Sequence, residues 1–324
     1  MSEAGGLIFG MRVDEEGRAH DLTEEDVGHL PPGNDFVWLH LDVGSDGAAR
    51  WIHEASGIDP ITQDALLAEE TRPRCEARGD ALTLFLRGVN LTPGEEPDDM
   101  VSLRIHLEAK RLLTLRVRPV QSPEDVRVAL ADGGVDGTAG DLLVALCNQL
   151  TRHVGDVIGD IEDRADALQE KVLSAGTRDL RAEISDLRRV LIALRRYLAP
   201  QRETLTRIGT EHLTWLDDRH RGQLREIADR SIRHLEELDA AREHAGVAYE
   251  ELAGRLTERV EQRMYLLSVV AAVFLPLGFV TGLLGINVGG MPGTENPQAF
   301  AYVLGGCAAV GALVLLVLKR RGWF

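Results

Sequence analysis

The chain has 324 residues, 36 Lys and Arg against 52 Asp and Glu for a net charge of −16, and 44% hydrophobic residues. That length can bury a full core without a disulfide or metal staple, and the acidity argues against nucleic acid or anionic lipid as a partner. Cys75, Cys147 and Cys307 form no Cys-x-x-Cys pair, and the ten histidines show no His-x-x-x-His or His-Glu-x-x-His spacing. The spacing therefore offers no closed zinc site, and the thiols are expected to be small buried hydrophobes.

From the N-terminus, MSEAGGLIFG lacks a basic lead and a long apolar region, so no cleaved signal peptide is expected. Residues 1–137 mix short strand-like and helical pieces. DFVWLHLDV, 35–43, alternates apolar and polar residues and predicts a strand; Ser45 or Asp46 then caps a helix through Ala55. DPITQDALLAEE, 59–70, is a second short helix. ALTLFLRGVN, 81–90, is a strand, and 100–119 is a hairpin with Val101, Leu103, Ile105 and Leu107 on one face. A small α/β domain with a mixed or antiparallel sheet is the expectation. Arg72, Arg74, Arg104, His106 and Glu108 are expected to be solvated edge residues without chemistry.

Residues 138–263 turn helical, with a break at SAGT, 174–177, where Thr177 can cap the next helix. Along the first of these helices Asp156, Asp160, Asp163 and Glu170 follow near-helical spacing. This acidic face is either merely solvated or a cation-collecting surface and candidate metal site. From Leu224 the seam Ile227, Ser231, Leu235, Leu238, Arg242, Ala245, Tyr249, Leu252 and Leu256 recurs every three or four residues, which implies bundle packing. No proline interrupts it before Pro276. A helix from about 222 to 284 would be about 95 Å long, suited to joining a cytoplasmic domain to a membrane.

Residues 264–324 form a third region. Between Met264 and Leu318 the only charged residue is Glu295. Met264–Leu284 and Ala299–Leu318 each match the roughly 20 apolar residues that span a bilayer core as a helix, with 285–298 as the connecting loop. Arg255, Arg259 and Arg263 precede the first span, and Lys319, Arg320 and Arg321 follow the second; the loop has no Lys or Arg. Both termini are therefore expected in the cytoplasm. Without those three tail residues and Glu295, 33 basic face 51 acidic residues, so residues 1–263 carry −18.

Read back from Asn287, one stripe of the first span is Thr281, Gly278, Phe274 or Leu275, Ala271, Ser268, and Met264 or Leu267. Its mostly small or weakly polar side chains suit close helix packing or the lining of a narrow path. Gly285 permits a helix-terminal conformation, and Asn287 brings an amide carbonyl to the outer mouth, near the negative end of the helix dipole.

Two C-terminal spans, an acidic α/β domain, a very long helix entering the first span, Gly-x-Asn at its outer end and a basic tail together resemble the CorA-like divalent-metal transporters. The form Leu284-Gly285-Ile286-Asn287-Val288 lacks the flanking aromatics of the magnesium branch, Tyr-Gly-Met-Asn-Phe, and is similar to the ZntB zinc-transport branch. The resemblance implies an α+β cytoplasmic domain plus long-helix stalk and two C-terminal transmembrane helices, assembled as a CorA-like pentameric funnel. It further implies a bacterial-type inner (plasma) membrane location and a homopentamer contacting lipids and divalent cations. Gly285, Ile286 and Asn287 would form the selectivity mouth, and the stripe from Met264 to Thr281 would line the pore. Zn²⁺ would be the transported substrate, with Mg²⁺ and Co²⁺ the alternative cargo, and no cofactor or enzymatic activity.

Physical chemistry adds constraints. First-shell zinc prefers Cys and His, and 264–318 offers no His and only Cys307, so zinc would cross largely hydrated. Proton coupling, if present, would fall to Glu295, the cytoplasmic acids and histidines, or water. Glu295 would also attract cations at the outer entrance. A membrane-anchored coiled-coil sensor without ion flux would share the stalk, but has no need of Gly-Ile-Asn or an acidic outer turn.

Overall fold

The computed structural model describes residues 5–27, 35–174, 180–286, 293 and 295–321. They fall into two units, Met1–Tyr249 and Glu250–Phe324.

The first unit is built on a seven-stranded mixed sheet. Its strands are β1 (Leu7–Val13), β2 (Ala19–Leu22), β3 (Phe36–Asp42), β4 (Arg74–Arg78), β5 (Ala81–Gly88), β6 (Val101–Glu108) and β7 (Arg111–Arg116), in the order β2-β1-β3-β7-β6-β5-β4. All neighbours are antiparallel except β3 and β7, which pair in parallel from Val37↔Arg111 to Asp42↔Arg116.

Period-2 alternation divides the side chains between two cores. Leu82, Leu84 and Leu86 of β5 and Val101, Leu103, Ile105 and Leu107 of β6 face one core, together with Leu142, Leu146, Cys147 and Leu150. On the opposite face, Leu39, Leu41, Phe85, Leu113 and Leu115 pack with Trp51, Ile52 and Leu66. That second core holds α1 (Glu24–Val27), α2 (Asp46–Glu54) and α3 (Pro60–Leu67). Asp59 caps α3 by accepting from the Thr62 amide at 3.1 Å, with Pro60 in the first turn. Ser45 occupies the cap position of α2 but its side chain makes no cap hydrogen bond; Oγ donates instead to the Gly5 carbonyl at 2.6 Å.

The first core is closed by α4 (Gln121–Ala131), α5 (Ala139–Ser174), α6 (Leu180–Ile208) and the first part of α7 (Asp218–Leu284). Leu142, Leu146, Leu150, Val154, Ile158, Ile161, Ala165 and Leu168 are buried along α5 at three- and four-residue intervals, the stripe of a helix with one apolar face. The break expected at 174–177 separates α5 from α6, and Thr177 lies outside the described residues. Helix α7 begins at Asp218, four residues before the expected start, where the Asp217 carboxylate accepts from the His220 amide at 2.8 Å. Its seam is buried at Leu224, Ile227, Leu235, Leu238, Ala241, Ala245, Ala248 and Leu252. Ala241 and Ala248 take the places expected of Arg242 and Tyr249. Ala241 and Ala248 continue the seven-residue spacing that starts at Ile227, whereas Arg242 and Tyr249 continue the spacing that starts at Leu235, one position later.

In the second unit the remainder of α7 and α8 (Ala299–Arg320) are both long and apolar enough to cross a membrane, and both are almost wholly exposed. A helix of a water-soluble fold would bury such a surface.

Candidate functional site

In the second unit, half-buried positions mark where α7 and α8 cover each other. On α7 they include Val269, Ala272, Val273, Pro276, Leu277 and Val280; on α8, Val303, Cys307, Val310, Gly311, Val314 and Leu318. Both sets follow three- and four-residue steps, one stripe per helix. A Cβ on Gly311 would come within 4.0 Å of the Leu277 side chain.

The stripe expected to line a path lies elsewhere on α7. Met264, Ser268, Leu275 and Gly278 are exposed, and at about 100° per residue they lie about 140–180° around the helix from Val273. Leu267 is exposed on the same side. Ala271 shares that side and is half-buried, while exposed Thr281 stands at the flank, about 80° from Val273. Phe274, offered as an alternative to Leu275, stands about 100° from Val273. The two polar members keep their hydroxyls on the helix itself: Ser268 Oγ donates to the Met264 carbonyl at 2.8 Å and Thr281 Oγ1 to the Leu277 carbonyl at 2.9 Å. These contacts satisfy the donors and leave the oxygens as acceptors.

Helix α7 ends at Leu284. The Gly285 amide donates to the Thr281 carbonyl at 2.9 Å, and Ile286 is exposed. Gly285 is not in the left-handed region. The need for glycine is spatial: a Cβ would stand 3.1 Å from the Thr281 carbonyl oxygen. Asn287 lies outside the described residues. Glu295 is described and exposed in the connecting segment.

The acidic face of α5 is solvent-facing at Asp156, Asp160, Asp163 and Glu170. Among the described residues no three His, Cys, Asp or Glu side chains converge closely enough to hold a metal ion. Negative charge is nevertheless concentrated beside it. Partial burial, then the charges of Glu237, Asp166 and Asp163, raise the Glu162 carboxyl above its usual range.

Cys75 and Cys147 are buried, and burial pushes both thiols up to about 12, so they are poor metal ligands as well as good hydrophobes. Cys307 is half-buried on the α7-facing stripe of α8.

The expectation for the polar face of β6 is corrected. Because β6 pairs with β5 and β7, it is an interior strand, and Arg104 and His106 are 1% and 4% exposed. His106 Nδ1 bonds Thr83 Oγ1 at 3.0 Å and Nε2 reaches Glu108 at 3.4 Å. The hydrogen bond from His106, with the Arg111 charge, holds Glu108 down to about 2. Alternation across the hairpin gave no sign of this, since a face covered by two short helices has the same pattern as one facing water.

The family model described as CorA-like Mg²⁺ transporter protein matches residues 33–320. The divalent cation transporter CmaX of Pseudomonas aeruginosa is 39% identical over 98% of this chain and 97% of its own length. The zinc transport protein ZntB of Pectobacterium carotovorum is 34% identical over 98% and 96%. Among solved structures, full-length CmaX superimposes with a TM-score of 0.86 at 37% identity, covering 98% of each chain. The CorA magnesium transporter of Methanocaldococcus jannaschii superimposes at 0.83 over 98% of this chain and 99% of its own; at 18% identity it shows the shared fold.

Proposed function

From the premise that this chain belongs to the CorA-like Mg²⁺ transporter family and is a divalent-cation transporter rather than an enzyme, we propose that it moves Zn²⁺ through the central pore of a homopentamer. The observation that carries this reading is the arrangement of α7 and α8. Helix α8 covers one stripe of α7 and leaves the small, weakly polar face from Met264 to Gly278 open for other copies to enclose. Five such faces would line a path narrow enough for oxygen contacts and too poor in ligands to strip a zinc ion of its water. Two relatives support the choice of cargo differently: one is named for divalent cations and one for zinc. The Leu-Gly-Ile-Asn-Val form favours zinc over magnesium.

In this reading residues 1–137 and 138–263 form the cytoplasmic domain and stalk, and 264–324 the membrane part with both ends inside. Gly285, Ile286 and Asn287 form the outer mouth, with Glu295 drawing cations towards it. The acidic face of Asp156, Asp160, Asp163 and Glu170 gathers hydrated cations at long range rather than chelating them. Proton coupling would run through Glu295, the cytoplasmic acids and histidines, or water, because Met264–Leu284 holds no acid, histidine or thiol. The test is metal flux by the purified protein in liposomes, comparing zinc, magnesium, cobalt and nickel, alongside the mass of the detergent-solubilised oligomer. Zinc flux from a five-copy particle is expected; a dimer without flux would overturn the reading in favour of an anchored sensor.

A further inference from the structure

The first unit contains a cavity of about 640 Å³ beside the start of β6, where α6 passes the segment that follows α3. Its wall inverts the charge of the chain. Arg72, Arg87, Arg104, Arg118 and Arg196 line it, against Glu69, Glu70 and Asp99. Asp99 is already taken by Arg118, which grips it with both Nη atoms, one at 3.1 Å. Among the described residues neither Glu69 nor Glu70 pairs with any of these arginines.

Among the described residues, two guanidiniums in the wall have no carboxylate paired to them. Arg104 is 1% exposed, donates Nη1 to the Leu66 carbonyl, and has a buried Nε with no acceptor. Arg87 donates to the carbonyls of Met100 at 3.0 Å and Thr71 at 2.7 Å, and its Nε is likewise buried and unpartnered. Burial draws both below the ordinary guanidinium range, and like charges add to this: Arg118 and Arg196 for Arg87, and Arg87 for Arg104. The Tyr197 ring lies 4.7 Å from the Arg87 guanidinium and 4.6 Å from that of Arg196 and orients both.

A buried charge left unpaired destabilises a fold, whereas a multiply charged oxyanion supplies both countercharge and acceptors for planar fork donors. The cavity has the volume of a small-molecule site. A single carboxylate from another protein would bring one charge to four arginines that pair with no carboxylate among the described residues.

We propose that this arginine-lined cavity binds a phosphate-class oxyanion, either free or carried on a nucleotide. The site lies in the first unit, apart from the proposed path, and its ligand is not the cargo. Occupancy would tighten the joint between β5 and α6, where Gln201 already clamps the Arg87 backbone through bonds of 2.6 and 3.0 Å.

The test uses the full chain in detergent and metal-free buffer, with melting temperature and calorimetric titration read against inorganic phosphate, pyrophosphate and ATP, and sodium chloride at matched ionic strength. A saturable rise in melting temperature beyond the chloride control is expected. ATP binding about tenfold tighter than phosphate and pyrophosphate identifies a nucleotide, and equal affinities identify the free anion. Arg196→Gln, at the exposed rim, should leave the unliganded melting temperature unchanged and weaken binding about tenfold. Arg104→Met should abolish the anion effect without lowering unliganded stability. No saturable effect from any of the three anions, or an effect unaltered in Arg196→Gln, overturns the proposal; if Arg104→Met fails to fold, Arg196→Gln decides. Because binding is measured without flux, the site can fail while the transport reading stands, and the reverse.

Discussion

Single atoms decide the C-terminal end of α7. The spacing from the Thr281 carbonyl leaves no room for a side chain at position 285 without a shift of a few tenths of an ångström. Gly285→Val is therefore expected to displace the mouth and cut flux at least tenfold while the oligomer persists. Asn287→Ala removes an amide and little packing, and should abolish flux in an assembled protein; wild-type flux through that variant would sink the assignment of the mouth. The thiols make the opposite forecast. With Cys75 and Cys147 buried as hydrophobes and Cys307 turned towards α7, replacing all three with Ala should lower the melting temperature yet leave zinc flux nearly intact. Loss of zinc flux with magnesium flux retained would require a direct sulfur ligand. Glycine at 285 was legible from residue type, but its full reason was not: α7 does end at Leu284, yet Gly285 is outside the left-handed region and lies close to the Thr281 carbonyl.

At the level of the element, α7 shows how packing selects between neighbouring seam positions. Leu238 is 1% exposed on the buried seam, so Leu238→Ala is expected to cost about 2–5 kcal/mol. Arg242 belongs to the same expected seam but is exposed, with only a 3.7 Å surface pairing to Asp239. Arg242→Ala should cost less than about 1 kcal/mol. Thermal melting of the two variants separates a seam through Ala241 from one through Arg242, which would make them comparable. The strands β1, β2 and β4 and the helices α1 and α4 are the elements that sequence patterning did not resolve. β1 and β4 each have one half-buried face broken by glycine or charge, and β2 is four residues long at the sheet edge. Such elements are specified by the neighbour they pair with more than by their own alternation.

Across the whole molecule, His40 and Glu108 couple protonation to folding in the same direction. His40 is fully buried; burial, then the Arg116 charge, lowers it to about 3, and its Nδ1 bonds Thr114 Oγ1 at 2.8 Å. An unfolded histidine binds its proton near pH 6.5. The unfolded state thus gains a proton that the native state refuses, and stability present above pH 6.5 is lost as pH falls towards 3. Glu108, held down to about 2, adds to the loss below the usual carboxylate range. One proton sets a slope of about 1.4 kcal/mol per pH unit. His40→Gln is expected to flatten the stability profile between about pH 6 and 4.5; an unchanged slope would assign acid sensitivity elsewhere. Charge acts over longer distances as well. Glu295→Gln should weaken uptake mainly at low metal and low ionic strength, where the carboxylate is least screened. An identical concentration dependence for both proteins at low salt would remove Glu295 from the entrance.

The sequence by itself determined the two apolar spans, the long helix running into the first of them, the α+β character of the N-terminal part and the family resemblance. Each rests on composition or periodicity within one segment, where a missing charge or a three-four repeat has few alternative explanations. Tertiary structure alone decided which face of α7 meets α8, that β6 is an interior strand, and that arginines from five separate segments share one cavity. Those are facts of pairing between residues far apart in the chain. Alternation on a strand or small residues on a helix state that a face is special, and only the packed neighbour determines whether that face meets water, another helix or a buried charge.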